Sequence, residues 1–180
     1  MNSHNAYEEM IQRSYNRAWQ EGSRPFPVAS FEIMLLSHAR KQAAEKEKAL
    51  FLRLNHIFNW DLNRRQQNQY LHQMENGATL ILTDTARTIL WASHSILAMT
   101  GYSAREVLGK TPRLFQGTGT SPLVTDHIRQ NLRNASPVSV ELTNYRKNGE
   151  AYQCIINIDP LHNQEGDLTH FLAVERETTH

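Results

Sequence analysis

The stretch that decides the fold is Gly101–Gly117, GYSAREVLGKTPRLFQG, read together with Asn144–Gly149, NYRKNG. The first is a short amphipathic helical run that ends at a glycine and then tightens around Pro112. The second ends one β-strand and begins another through an Asn-Gly turn, because a tight hairpin needs the positive φ that such a turn supplies. Helical and strand patterns therefore occur in the same domain, which indicates an α+β fold.

The composition excludes several classes of protein. With 180 residues the chain can bury one good core, and 19 basic against 18 acidic residues give no electrostatic case for nucleic acid or an anionic membrane. No apolar run approaches the ~18 residues that a membrane span needs, and the polar, acidic start argues against a secretory signal. The single cysteine, Cys154, excludes an internal disulfide and a cysteine-only zinc site. We expect a soluble cytoplasmic protein.

Residues 1–76 are predicted to form an N-terminal helical extension. Ala6–Glu21 reads as one helix, which Gly22 and Pro25 stop. A second helix begins at Ser30 as its N-cap and runs to about Met74. It is either broken near residues 59–63 or continuous past its own domain to meet another copy, because forty residues exceed an ordinary helix. Its apolar stripe consists of Phe31, Leu35, Ala39, Ala43, Leu50, Leu54, Ile57 and Phe58.

Residues 77–180 form the second predicted region, in which two strands, a group of helices and three strands follow in order. An antiparallel sheet of five strands is expected, since short turns join the first two strands and also the last three. The predicted strands are Thr79–Thr83, Thr88–Ala92, Val138–Tyr145, Ala151–Pro160 and Leu168–Glu177. The predicted helices are Ser93–Thr100, Ser103–Leu108 and Ser121–Arg133, the second with Ser103 and Glu106 at capping-box spacing.

This order of elements, with the two quoted motifs, resembles the PAS family over about residues 78–179. Within the family it is similar to the branch that contains the LOV photosensors and flavin-binding redox sensors. The resemblance implies a PAS fold, a five-stranded antiparallel sheet with central helices, and a sensory role in signal transduction. Such a module acts by ligand-modulated protein–protein interaction and not by catalysis.

In this family the ligand lies between the inner face of the sheet and the central helices. Two-residue alternation places Asn144, Cys154 and Glu175 on that inner face. By resemblance, these are the positions where LOV domains carry Asn, Asn and Gln to read the polar edge of the flavin ring. This chain keeps the first of the three. A carboxylate accepts but does not donate when ionised, and a thiol is a poor hydrogen-bonding group, so the other two depart from the family.

Arg113 and Arg129 match the family's two phosphate-binding arginines, and Gln116 keeps the end of the motif. Guanidinium groups bind phosphate well; the alternative is that both are ordinary surface arginines. The resemblance therefore implies FMN or FAD as candidate cofactors, beside the alternative of a module without a ligand. At two places the sequence differs from the flavin-binding relatives. Pro137 and Val138 stand where flavin-binding relatives carry a tryptophan.

The other departure is Pro112, which occupies the position of the flavin-reactive cysteine of LOV domains. Proline has no nucleophile, so the resemblance implies a flavin sensor without a cysteinyl adduct. His127, on a predicted helix, is the candidate for a distant alternative, a haem-binding gas or redox sensor. The remaining histidines show no recognised metal spacing, so no metal site is expected.

No enzymatic motif is present: the sequence lacks a Ser/His/Asp elbow, a P-loop and a dinucleotide fingerprint. The outer face of the sheet is predicted to be as apolar as the inner one, so something must cover it. We expect the long helix to cover it and to pair with a second copy. This gives a homodimer built from the N-terminal helices and the outer sheet face, with an unidentified signalling partner. The outward apolar residues are Leu80, Leu82, Ile155, Leu172 and Val174.

The last residues also resemble a family feature. Glu177-Thr178-Thr179 is similar to the Asp-x-Thr motif that links a PAS core to its effector. Two alternatives follow for the signal: the chain is a fragment of a larger sensor, or the signal leaves through the N-terminal helices.

Overall fold

The computed structural model describes residues 28–178, so the predicted helix Ala6–Glu21 lies outside the described residues. Contacts divide the chain into two compact units, Met1–Ala44 and Glu45–His180. In the first unit the described residues are helical, with Ile33, Met34 and Leu36 exposed. The second unit contains the remaining helices and the whole sheet. The predicted boundary at residue 76 marks the change from helical to strand-forming sequence. It does not coincide with this boundary between the two compact units.

Two helices precede the sheet: α1, Val28–Ile57, and α2, Arg64–Glu75. The predicted start at Ser30 was wrong, because the helix already includes Val28. Of the two alternatives for its continuation, the break near residues 59–63 is confirmed. The cause is long-range pairing, because Trp60 bridges to Asn163 and the Asp61 N–H donates to His162 O at 2.8 Å. The chain then re-enters a helix at Asn63, whose side chain and that of Gln66 form a capping box.

A five-stranded antiparallel sheet follows, as expected, with the strand order β2-β1-β5-β4-β3. The β3–β4 hairpin turns at Asn148 and Gly149, and of these two residues only Gly149 has a positive φ, 87°. Asn148 contributes through its side-chain oxygen, which accepts the Glu150 N–H at 3.0 Å. The strands are β1 Thr79–Asp84, β2 Ile89–Ala92, β3 Val138–Tyr145, β4 Ala151–His162 and β5 Leu168–Glu177.

The segment between β2 and β3 crosses the inner face of the sheet. It contains α3, Ser95–Thr100, α4, Ala104–Val107, a 3₁₀-helix at Pro112–Phe115, and α5, Pro122–Arg133. The predicted capping box is present, since a Glu106 carboxylate oxygen accepts the Ser103 N–H at 2.9 Å. Lys147 lies 2.5 Å from the same carboxylate and, with Ser103, lowers the pKa of Glu106 to about 2. This pair joins α4 to the β3–β4 hairpin.

Each face of the sheet has its own hydrophobic core. The outer core joins Leu80, Leu82, Leu172 and Val174 of the sheet to three aromatic side chains of the preceding helical segment. The outer face is thus covered at these four residues, while Ile155, predicted on the same face, is exposed. The predicted helical cover is found within one chain. Leu54 and Phe58 are partly buried there, whereas Leu50 and Ile57 are 42% and 59% exposed. The covering residues are Phe51, Trp60 and Tyr70.

The inner core joins the sheet to α3, α4 and the 3₁₀-helix through Ile96, Val107 and Phe115, each at most 1% exposed. Together the two cores fix the sheet between two helical layers. No helix in residues 28–178 is long and apolar enough to cross a membrane.

Candidate ligand cavity

A cavity of about 240 Å³ lies between the inner face of the sheet and the segment that crosses it. Its volume lies somewhat below the usual range for small-molecule sites, which is roughly 300–1,000 Å³. Ten of the nineteen lining residues are apolar, and the other nine carry polar or charged side chains that could orient a ligand. The apolar lining residues are Ile81, Pro112, Phe115, Ile128, Leu132, Leu142, Ile156, Ile158, Phe171 and Ala173.

Strand alternation positions the polar groups of the sheet wall. Asn144 follows Leu142 on the inner face of β3, and Glu175 follows Ala173 on the inner face of β5. Both side chains are 3% exposed. The inner-face prediction for these residues is therefore confirmed, since both line the cavity.

The opposite wall is formed by the 3₁₀-helix and α5. Pro112 is the first residue of the 3₁₀-helix, where its missing N–H is no loss and where the preceding Thr111 is extended. Arg113 and Gln116 follow on this segment, and Arg129 projects from α5 beside Asp126, its ion-pair partner. All three predicted residues line the cavity together with Asn144 and Glu175.

Cys154 is the predicted site residue that the structure keeps out of the cavity lining. It lies on β4, fully buried, and its Sγ approaches the Glu175 carboxylate oxygen Oε2 at 3.9 Å. Burial, and then the neighbouring Glu175, raises the pKa of the Cys154 thiol. The thiol is therefore neutral and unreactive. It lies behind the cavity wall, beside Glu175 and across from Leu142 of β3.

His127, the candidate haem ligand, is exposed on α5 and is not among the residues that line the cavity. Its carbonyl accepts a hydrogen bond from the Asn131 side chain, as the helix spacing of four residues allows. Among residues 28–178 no group of three histidine, cysteine or acidic side chains could hold a metal ion.

Sequence reasoning missed Arg87, which lines the cavity from the turn between β1 and β2. Its φ of 71° lies in the left-handed region, which non-glycine residues adopt rarely. The signal available was the turn at residues 84–87, but a turn pattern does not tell which way its last side chain points.

Tyr145 is a second residue that the sequence did not identify, and it fixes the loop after Gln116. Its hydroxyl accepts the Gly119 N–H at 2.8 Å, and its ring packs so closely on Gly117 that a Cβ there would lie 2.5 Å from Cδ2. The Thr120 hydroxyl donates to Thr143 O at 2.6 Å and completes the attachment. Position 117 therefore requires glycine, because any side chain there would collide with the Tyr145 ring. This close packing holds the neighbouring Gln116 at the cavity.

Comparison with known proteins places this geometry in context. The family model described as "PAS domain" matches residues 76–180. A blue-light-activated histidine kinase of Brucella canis is 36% identical over 91 residues, which are 51% of this chain and 19% of that protein. The match therefore spans about a fifth of that relative's length.

Two solved structures share the fold of the region described above. One, from work on a flavin analogue and the mechanism of the light-oxygen-voltage domain, has a TM-score of 0.57 at 28% identity, covering 62% of this chain and 85% of its own. The other is the light-state structure of the blue-light photoreceptor Aureochrome1 LOV, with a TM-score of 0.56 at 29% identity, covering 60% of this chain and 86% of its own.

Proposed function

The chain belongs to the PAS domain family and is similar to its LOV branch, and on that premise we propose that it is a sensory module whose cavity binds a small ligand. The ligand modulates protein–protein contacts, and the output is contact rather than catalysis. The observation that carries this proposal is the cavity itself. Its lining combines apolar side chains with a buried amide at Asn144 and arginines at Arg113 and Arg129.

A flavin nucleotide, FMN or FAD, is the ligand that the lining residues favour. The apolar walls fit a planar ring, the Asn144 and Gln116 amides offer both donors and acceptors, and two guanidinium groups fit a phosphate. A bound flavin supplies reversible redox chemistry, and the residues named here bind and orient it. Pro112 lines the cavity and offers no nucleophile, so the flavin is held without a covalent bond.

The arginines provide the direct test. We expect Arg113→Ala and Arg129→Ala each to weaken FMN binding by about 10- to 150-fold in Kd, because a charge-assisted hydrogen bond contributes about 1.5–3 kcal/mol. Fluorescence titration of FMN measures the change. Arg105→Ala is the matched control, because Arg105 is exposed on α4 and is not a cavity-lining residue. Unchanged FMN affinity in the Arg113/Arg129 double variant would reject the site.

The partner that we propose for the N-terminal helices is a second copy of the chain. Of the sheet residues expected at this interface, Ile155 is 37% exposed, whereas the other four are already buried within one chain: Leu80, Leu82, Leu172 and Val174. The support for a dimer is therefore α1, which leaves large apolar side chains exposed to water. These are Ile33, Met34, Leu36, Leu50, Leu52 and Ile57.

We expect Ile57→Asp to convert the dimer to a monomer, because it places a charge in a desolvated helix seam. Ile57 is 59% exposed within the chain, so this change leaves the fold intact. Leu54→Asp is less informative, since Leu54 packs against the outer core and its replacement also disturbs folding. Sedimentation velocity checks the result, with His56→Asp, at an exposed neighbouring position, as the control. A monomeric wild type at high concentration would reject the dimer.

A further inference from the structure

Glu175 carries its carboxyl group in a buried position, where ionisation costs free energy. It lines the ligand cavity and is 3% exposed. Its polar contact in the described chain is the Cys154 thiol, a weak donor 3.9 Å away. An ionised carboxylate in such surroundings has little to replace the water that it has lost.

The groups that face Glu175 from the neighbouring elements do not provide a counter-charge. On β4, burial raises the pKa values of both Cys154 and Tyr152, so both are neutral. On β1, the residue paired with Glu175 is Thr79, which does not titrate. Farther along β5, Glu177 is engaged by Arg146 at 2.5 Å. The arginines that line the same cavity are Arg87, Arg113 and Arg129, and none of them forms an ion pair with Glu175 in residues 28–178.

Two buried hydroxyl groups close to Glu175 and Asn144 lack partners. Thr79 Oγ1 and Tyr152 Oη form no hydrogen bond within the described chain. Thr79 pairs with Glu175 across β1 and β5, and Tyr152 pairs with Asn144 across β3 and β4. Each hydroxyl can donate, as can the Asn144 amide and a protonated Glu175. The end of the cavity at Asn144 and Glu175, called the inner end, therefore has possible donors in its lining, and the two hydroxyls lie behind that lining without forming part of it.

We propose that Glu175 determines which ligands the cavity accepts: as a neutral carboxylic acid, it donates a hydrogen bond to a carbonyl oxygen or an unprotonated ring nitrogen at the ligand's inner end. The proposal rests on the ligand-binding function above and specifies the chemistry of the ligand. Burial raises the pKa of Glu175 to about 7, which keeps the acid neutral below that pH. A glutamine at this position would donate at every pH, whereas Glu175 donates only while it is protonated.

Riboflavin is the probe for this proposal, because it has the carbonyl and ring-nitrogen acceptors of a flavin but no phosphate, which would itself titrate near pH 6. We expect its Kd for the wild-type protein to be constant at low pH and to rise about tenfold for each pH unit above 7, as the donor is lost. Glu175→Gln should bind riboflavin with a Kd that does not change with pH. Glu165→Gln, in the exposed turn after β4, should keep the wild-type profile.

Infrared spectroscopy of the protein without added ligand separates this proposal from the ligand-binding function. We expect a protonated carboxyl band at pH 6 that disappears as the pH rises through 7 and is missing in Glu175→Gln. A band that is already missing from the wild type at pH 6, or a riboflavin Kd independent of pH in the wild type, would overturn the proposal. If riboflavin fails to bind at every pH, the flavin function fails, and the infrared band alone decides the state of Glu175.

Discussion

Replacing Phe51 by alanine is expected to lower the free energy of unfolding by about 3–5 kcal/mol, the usual cost of truncating a buried phenylalanine. The side chain is 1% exposed in the outer core. Its ring centroid lies 6.3 Å from that of Trp60, 6.0 Å from Tyr70 and 6.2 Å from Trp91. Removal of this ring leaves a cavity between the helical segment and the sheet, which the surrounding aromatic rings fill only partly.

Urea unfolding followed by far-ultraviolet circular dichroism measures this loss. Leu52→Ala is the control, because Leu52 is the next residue of α1 but is 40% exposed, and we expect it to cost less than about 1 kcal/mol. Equal losses in the two variants would mean that the helical segment is not packed on the sheet. A selective loss for Phe51 makes residues 51–75 part of the sensor's folded core, able to respond to changes in the sheet.

Glu175→Gln is expected to remove a loss of stability that the wild-type protein undergoes as the pH rises to 7. The folded-state pKa of Glu175 is raised to about 7 from 4.5 by burial, so between these values the native state holds a proton that the unfolded chain releases. The wild type therefore loses stability as the pH rises from about 4.5 to 7. The loss is on the order of 3 kcal/mol and is complete above pH 7. The glutamine variant carries no such loss.

The quantity to measure is the difference in unfolding free energy between Glu175→Gln and the wild type, from pH 4.5 to pH 8. The difference is needed because His170 changes the profile in the opposite direction: burial lowers its pKa, so its contribution is lost as the pH falls below about 6.5. That contribution is common to both proteins and cancels. Parallel profiles for the two proteins would show that Glu175 is not a buried acid.

The sequence predicted the sheet and its faces because those features depend on local patterns. Asn148-Gly149 marked the β3–β4 hairpin, and two-residue alternation placed Asn144 and Glu175 on the face that lines the cavity. Arg113 and Arg129 were found by resemblance, and their predicted role in phosphate binding stays a prediction.

The features that the sequence did not predict depend on contacts between distant residues. The helical stripe favoured Leu50 and Ile57 as part of the cover of the sheet, but both are exposed and Phe51, which is not in the stripe, is buried. The sequence left a break near Trp60 open as one of two alternatives and did not choose between them. That break is held by the pairing of Trp60 with Asn163 and by the hydrogen bond from the Trp60 indole N–H to His170 Nδ1, 3.1 Å long. No local pattern reports a partner a hundred residues away. The same applies to Arg87, whose direction is set by the turn that carries it.

The central claim is that the cavity holds a flavin without covalent chemistry, and the absorption spectrum of the 180-residue chain under blue light tests it most directly. The protein is incubated with FMN, freed of unbound FMN and illuminated. We predict a protein-bound flavin spectrum that does not bleach and recover, because Pro112 replaces the nucleophile and the neutral Cys154 thiol is buried outside the cavity lining. A spectrum without flavin, or one that bleaches reversibly as a thiol adduct forms, would contradict the claim.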